Sequence, residues 1–324
     1  MLKSSILAMM LILLLGCGGG NNGTQPNRKS PETVIVDNDV YDPDNYMSVL
    51  LSIHENMYGY ANIGLLIMSD IGVSGKTSAV WKAILNTYHS NIPLAITKRQ
   101  EGAVFKVKAT EHISDYIDWN DSMTEDALTA LDRVLNNAGD KKVTYTTGGK
   151  LRVIRDYIST PKRYELFKSK VKLLIIGMGN DAWDIHSSRD HNLACTDSAY
   201  QATLTVYQKL HGIIPFGVVK DHRGHNNRFL DIFKTVDIPV MKYIYGVNTY
   251  GTYGDHGGGD TEVILAVSRP NSFKRYPCTI TLKDKTLKIT SFDGNDVCIE
   301  NDGTLPVMGF LKEVVTNLNS LITK

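Results

Sequence analysis

Residues Val34–Asn45 read VIVDNDVYDPDN. A β-branched run, Val34-Ile35-Val36, passes directly into a stretch that holds four aspartates, Asp37, Asp39, Asp42 and Asp44. Clustered carboxylates repel one another, so the loop needs something positive among them or full access to water. A divalent cation supplies the first. With no His or Cys nearby, these hard oxygen donors suit Ca2+ or Mg2+ rather than Zn2+. The loop is not an EF-hand, because it lacks the glycine at the sharp turn and the closing glutamate. Any ion held here therefore draws its remaining ligands from distant loops. The competing reading is a solvated acidic loop in which Asp44 caps the next helix. Spacing alone does not separate the two.

The apolar run before the acids sets the fold. Similar short runs recur at Ile63–Met68, Leu94–Thr97, Val143–Thr146, Lys172–Ile176, Ile213–Val219 and Val240–Tyr245. They are β-branched or aliphatic without polar alternation, as expected of strands covered on both faces. Helical patterns lie between them at Asn45–His54, Ser78–Tyr88, Thr124–Leu135, Leu151–Ile158 and Ser198–Leu210. The third opens with a cap-like Thr and early acids. Alternating β and α predicts an α/β fold with an open, mostly parallel sheet flanked by helices. Such sheets bind ligands beyond the carboxyl ends of their strands, and the aspartates sit at such an end. Tyr276–Glu300 alternates around the turn signals KDK and DGN and predicts a small β-hairpin appendage. Leu305–Leu321 predicts a closing helix.

The chain-wide features narrow the function. The 324 residues are 42% hydrophobic and carry a formal net charge of +1, enough apolar material for a sizeable core. With so balanced a charge, no global field argues for a nucleic-acid partner or an anionic membrane surface, and none of the former is expected. Lys3 followed by the apolar run Ile6–Leu15 and then Leu14-Leu15-Gly16-Cys17 resembles a bacterial lipoprotein signal, with cleavage before Cys17 and lipid on its sulfur. This divides the chain into a signal peptide (1–17), a Gly/Asn-rich tether (18–30) and one domain (31–324). It also implies a lipid-anchored place in the cell envelope, with membrane contact through the anchor only. Of the other cysteines, Cys278 and Cys298 either pair in an oxidising compartment or are buried as small hydrophobes, and Cys195 is left over.

Other motifs carry less. GVSGKTSA (Gly72–Ala79) looks like a phosphate loop, but only two residues separate Gly72 from Gly75 where four are needed. It reads as a strand-to-helix turn. KDHRGHNN brings His222 and His225 together without further ligands at zinc spacing, so a solvated loop is expected. Trp183 is expected in packing rather than in stacking on a ligand.

Taken in order, several stretches resemble the inosine–uridine-preferring nucleoside hydrolase family. DNDVYDPDNYMSVL (Asp37–Leu50) resembles the family's amino-terminal aspartate signature, in a "DND…DPD" form. GKTSAVWKAILNTYHSNIPLAI (Gly75–Ile96) is similar to a helix and strand with the pattern AINTYYG…IPVG. TEDALTALDRVLNNAGDKKVTYTTGGKLRVI (Thr124–Ile154) resembles the helix, strand and GGPLTNL turn. RDHNLACTDSAYQATL (Arg189–Leu204) is similar to EFNxxxDPEAA, and GGDTEVILAV (Gly258–Val267) to HDPxAVxYAV. The matches span about residues 33–270.

The resemblance implies a calcium-dependent hydrolase that cleaves the N-glycosidic bond of ribonucleosides or related ribosides, with a place in purine or pyrimidine salvage. It assigns Asp39 as calcium ligand and as base toward the metal-bound water. Asp44, or Asn45 across a one-residue gap, is the next ligand. Asp260 is the late one, and a main-chain carbonyl comes from Arg152 or the residue before it. Asp42 and Asp44 are candidates for the ribose hydroxyls, Asp190 and Asn192 match the ribose-holding segment, and Asn180 in GMGNDAW adds a polar sugar contact. Cleavage through an oxocarbenium-like sugar explains carboxylates around the ring. A cation that acidifies water explains a neighbouring base. Two positions depart from the pattern. Asn45 stands where the family often has a second Asp, and Gly259 where it has the His that helps the base leave. His256, in YGDHGGGD, could reach the same space, although a surface loop is the simpler expectation. These departures keep a second expectation open, a riboside- or sugar-binding lipoprotein of the same fold without turnover. Assembly into a homo-oligomer stays open too.

Overall fold

β1 (Thr33–Asn38) continues two residues past the apolar run, so Asp37 and Asn38 belong to the strand and Asp39 is the first residue beyond it. The computed structural model describes residues 32–40, 43–69, 74–97, 110–177, 196–220, 232–236, 238–249, 259–283 and 285–322. From residue 32 onward the chain forms one compact unit.

The elements follow β1 in the expected alternation: α1 (Pro43–Met57), β2 (Asn62–Met68), α2 (Thr77–Thr87), β3 (Leu94–Ile96), β4 (Glu125–Asp126), α3 (Ala127–Asn137) and β5 (Val143–Thr147). Then come α4 (Arg152–Tyr157), α5 (Pro161–Lys170), β6 (Val171–Gly177), α6 (Asp197–Leu210), β7 (Phe216–Val219), α7 (Pro239–Thr249) and α8 (Gly259–Ser268). The chain closes with β8 (Phe273–Lys283), β9 (Thr286–Asn301) and α9 (Val307–Ile322). The nine strands form one sheet in the order β4-β3-β2-β1-β5-β6-β7-β9-β8. Every neighbouring pair is parallel except β8 with β9. The fold class is as predicted.

β1 alternates between two cores. Val34 and Val36 pack with α1, α2, α7, α8 and α9 on one face. Ile35 packs with Tyr145, Phe167 and the inner sides of α3 to α6 on the other. Each fully buried aliphatic or aromatic side chain contributes about 1.5–3 kcal/mol. A buried ion pair clamps the first layer, where Glu55 at the end of α1 accepts two hydrogen bonds from Arg269, each 2.9 Å. His54 Nδ1 lies 2.9 Å from the same carboxylate. The Arg269 guanidinium also stacks on Tyr60 at 3.3 Å from the ring centre.

Sequence order places β1 at a reversal. The chain runs outward from β1 to β4 and then returns to set β5 on the other side of β1. The carboxyl ends of β1 and β5 therefore flank the topological switch point, where open α/β sheets form their ligand crevice.

Some local expectations fail for identifiable reasons. Val240–Tyr245 is helical, within α7, rather than a strand. Pro239 suits a first helical position, and the buried residues Val240, Met241 and Ile244 follow helical spacing. A short apolar run carries either period. β7 begins at Phe216 rather than Ile213, which is 45% exposed. α3 is capped by Asp126, whose Oδ1 accepts from Leu128 N at 3.0 Å, and not by Thr124. In the hairpin the last pair at the KDK signal is Lys283–Thr286, whereas DGN is an interruption of β9: the pairing steps from Cys278–Asp296 to Thr279–Ser291 across it. Gly294 has φ +126° there, and an added Cβ would sit 2.8 Å from the Cys278 carbonyl oxygen. Of the two readings of Cys278 and Cys298, the structure shows the pair: they form a disulfide between fully buried positions. Among the described residues no helix is long and apolar enough to cross a membrane. Residues 6–15 and Cys17 lie outside the described residues.

Candidate functional site

Strand geometry sends Asp37 and Asn38 to opposite faces of the sheet. Asp37 turns to the core that holds Tyr145, whose hydroxyl donates to its Oδ2 at 2.7 Å. Burial first, and then the charge and hydrogen bond of Asp37, push the Tyr145 phenol well above its ordinary pKa. Asp37 is thus a buried structural acid. Asn38 turns to the opposite face, and its Oδ1 accepts from Gly148 N at 3.0 Å. The Asp37 carbonyl accepts from the same N–H at 3.0 Å. These bonds fix the end of β1 against the end of β5.

The chain leaves β5 through Gly148 and Gly149, and both glycines are required by close approach. A Cβ on Gly148 would overlap the Asp260 carboxylate and lie 2.9 Å from Asn38 Oδ1. One on Gly149 would lie 2.7 Å from Ser69 Oγ and 3.1 Å from Asp39 N. The missing side chains let α8, β1 and the end of β2 converge on one turn. Thr147 holds the turn, accepting from Gly149 N at 3.2 Å and donating to its carbonyl at 3.1 Å.

α1 and α8 complete the site from their amino-terminal turns. Asn45 Nδ2 donates to Asp260 Oδ2 across 215 residues of sequence. Asp44 and Asp260 both lie in first helical turns, where the helix dipole favours negative charge. Asp39, Asp44 and Asp260 are each only 7% exposed. Burying three carboxylates at one sheet edge demands compensating charge. Lys150 and Arg152, also buried, follow the glycine turn. Arg152 opens α4, and its Nη2 reaches Thr196 Oγ1 at 3.2 Å.

In kind, the donors fit a hard divalent cation: carboxylate, amide and main-chain oxygens. Half a turn of the Asn45 amide would present its oxygen where its nitrogen now donates. Among the described residues, however, no three Asp, Glu, His or Cys side chains gather closely enough to hold a metal ion. Asp42, Asn180, Asp190, Asn192 and His256 lie outside the described residues, as do Trp183, His222 and His225. Of the residues singled out from sequence, Asp260 comes to the Gly148–Gly149 turn with its carboxylate and Asp39 with its main chain; Asn45, next to Asp44, reaches Asp260, and Arg152 lies just beyond the turn. Asn38, Ser69 and the two glycines were not singled out as site residues. Asn38 Nδ2 and Ser69 Oγ are buried there without a hydrogen-bond partner among the described residues.

No family model matches the chain, and no curated protein does. Solved structures do. The type III effector protein XopQ, complexed with adenosine diphosphate ribose, aligns at 13% identity over 91% of this chain and 94% of that one, TM-score 0.62. The inosine-uridine preferring nucleoside hydrolase of Bacillus anthracis aligns at 12% identity over 90% and 99%, TM-score 0.59. The purine-preferring ribonucleoside hydrolase of Gardnerella vaginalis aligns at 11% identity over 90% and 99%, TM-score 0.57. At these identities the likeness shows the fold: the chain has the nucleoside hydrolase fold over nearly its whole length.

Proposed function

We propose that this chain is a lipid-anchored, calcium-dependent N-ribohydrolase acting on ribonucleosides or related ribosides. The observation that supports the reading is the approach of the Asp260 carboxylate and the Asp39 main chain to the Gly148–Gly149 turn, with Asn45 bonded to Asp260, at the switch point of a nucleoside hydrolase fold. Asp39, Asp44 and Asp260, with Asn45 and a main-chain oxygen of the turn ending at Arg152, would hold the ion. When bound, calcium would grip vicinal hydroxyls and acidify a water. Asp39 takes the proton of the attacking water. The remaining carboxylates stabilise the positive charge that develops on the sugar ring. Asp42, Asn180, Asp190 and Asn192 are assigned to the sugar, and His256 to protonation of the departing base. Cys17 carries the lipid and places the protein in the bacterial cell envelope.

The test is release of reducing sugar from inosine, uridine and nicotinamide riboside with calcium and with chelator. Calcium-dependent turnover lost in Asp39→Asn supports the reading. No release from any riboside overturns it.

A second reading has its own observation. The Asn45 N–H already engages Asp260, and no three-group cage forms among the described residues. A riboside-binding protein without turnover accommodates both. Calorimetry separates the two, because saturable binding heat without continuing heat of reaction belongs to the binder alone.

A further inference from the structure

The edge of the sheet opposite the candidate site has its own character. Thr33, Asn62, Val143 and Val171 begin β1, β2, β5 and β6, and these parallel strands start along one edge. Adjacent strands lie about 4.8 Å apart, so the four starts span roughly 15 Å. Lysines crowd two of them: Lys141 and Lys142 precede β5, Lys168 and Lys170 end α5, and Lys172 is the second residue of β6. Glu165, Asp140 and Glu32 pair with Lys168, Lys170 and Lys172 respectively. The lysines outnumber these acids five to three. Burial, and then the charge of Lys168, hold the Lys141 ammonium below the usual lysine range. On the other flank, before β2, Met57 and Tyr58 are each 49% exposed and Tyr60 is 40% exposed.

The amino-terminal segment joins the domain at the middle of this edge, where Thr33 N donates to the Lys142 carbonyl at 3.0 Å. Fourteen residues separate Cys17 from Glu32, with Arg28 and Lys29 among them. At full extension they reach at most about 50 Å. A lipid on Cys17 would tether the domain through the chain that enters this edge. Lysines attract anionic headgroups, and tyrosines suit the headgroup level.

We infer that this amino-terminal edge docks on an anionic phospholipid surface, through the Lys141–Lys172 cluster and the Met57–Tyr60 turn. The candidate site then faces away from the membrane, toward dissolved substrate. The inference rests on the lipid-anchor part of the proposed function and adds a second, non-covalent contact.

The test uses the compact unit Glu32–Lys324, which has no Cys17. It is sedimented with vesicles of phosphatidylcholine alone and of phosphatidylcholine mixed with phosphatidylglycerol, at low and high salt. Expected is binding to the anionic vesicles only, weakened by salt, and reduced roughly a hundredfold in a Lys142→Gln/Lys168→Gln/Lys170→Gln variant. Tyr58→Ser, which keeps every lysine, is expected to weaken it several-fold and decides the matter if the triple variant does not fold. No binding, equal binding to neutral vesicles, or undiminished binding by the folded variants overturns the inference. Labelling the full chain with radioactive palmitate, with Cys17→Ala as control, tests the anchor separately, so failure of one is not mistaken for failure of the other.

Discussion

Asn45 donates its side-chain N–H to the Asp260 carboxylate and so joins the first turns of α1 and α8 across the carboxyl ends of the central strands. Where the resemblance leads one to expect a second carboxylate, the chain has an amide that satisfies its neighbour without adding charge. Asn45→Asp would set two buried carboxylates face to face. In chelator it is expected to lose about 1–3 kcal/mol of stability. Calcium should raise the melting temperature of the variant more than that of the parent, because a fourth carboxylate strengthens an ion's hold. Thermal unfolding with and without calcium measures both. Equal melting of parent and variant in chelator would remove the Asn45–Asp260 bond from any stabilising role.

Gly148 leaves no room for a side chain. Gly148→Ala forces the Asp260 carboxylate or the β5 turn to move, at an expected cost of about 1–3 kcal/mol. Activity should fall about a hundredfold or more, since misplacement by about 1 Å at a reacting centre has that effect. Gly246→Ala, with open space around its Cβ position and no positive φ, controls for the loss of a glycine elsewhere and should leave activity unchanged.

The Asp37–Tyr145 pair predicts a stability change without a chemical one. Tyr145→Phe removes a hydrogen bond to a buried carboxylate and is expected to cost about 1.5–3 kcal/mol, with riboside turnover per folded molecule nearly unchanged. Denaturant melts beside kinetic assays separate the two. A large loss of turnover at unchanged stability would instead make Asp37 part of the reaction.

The pH limits of stability follow from buried groups on both sides. Burial raises the pKa of Tyr145 and Tyr88, and of Tyr243 to about 12. Their folded pKa values lie above the unfolded value near 10, so their contribution is complete below pH 10 and is lost as pH rises above it. For Glu55, burial pushes the pKa up, but the hydrogen bonds of His54 and Arg269 outweigh that and leave it below 4.5. Its contribution is complete above that value and is lost as pH falls through the depressed folded pKa. Urea midpoints across pH should show both limbs, and Glu55→Gln should shrink the acid one.

The Cys278–Cys298 disulfide closes a loop with a sequence separation of 20 residues. Reduction, or Cys278→Ala with Cys298→Ala, is expected to lower stability by about 3 kcal/mol. The candidate site lies on other strands and should keep its activity while folded. Melting with and without reductant is the measurement.

The legible parts of this fold were those written locally. β1, β2 and β6 carry aliphatic runs and β5 is a β-branched and aromatic one, and α1 and α6 follow helical spacing between them, so the parallel sheet could be read from Thr33 to Leu210. Val240–Tyr245 misled because a short apolar run fits either period until a neighbour buries one face of it. Asp39 and Asp44 drew notice as clustered acids at the end of an apolar strand, and Asp260 only through the family resemblance. The roles of Asn38 and Gly148 were invisible, because they depend on the approach of α8 from more than a hundred residues away. Asp37 looked like its neighbours until its tyrosine, 108 residues later, showed where it points.

The span from Asn45 to Asp260 also times the birth of the site. A ribosome adding ~5–20 residues per second takes roughly 10–40 s to cover it. Throughout that interval the nascent acidic loop has been made, but the helix that closes it has not. A chain released early, or clipped before α8, keeps most of its sheet and cannot assemble the pocket.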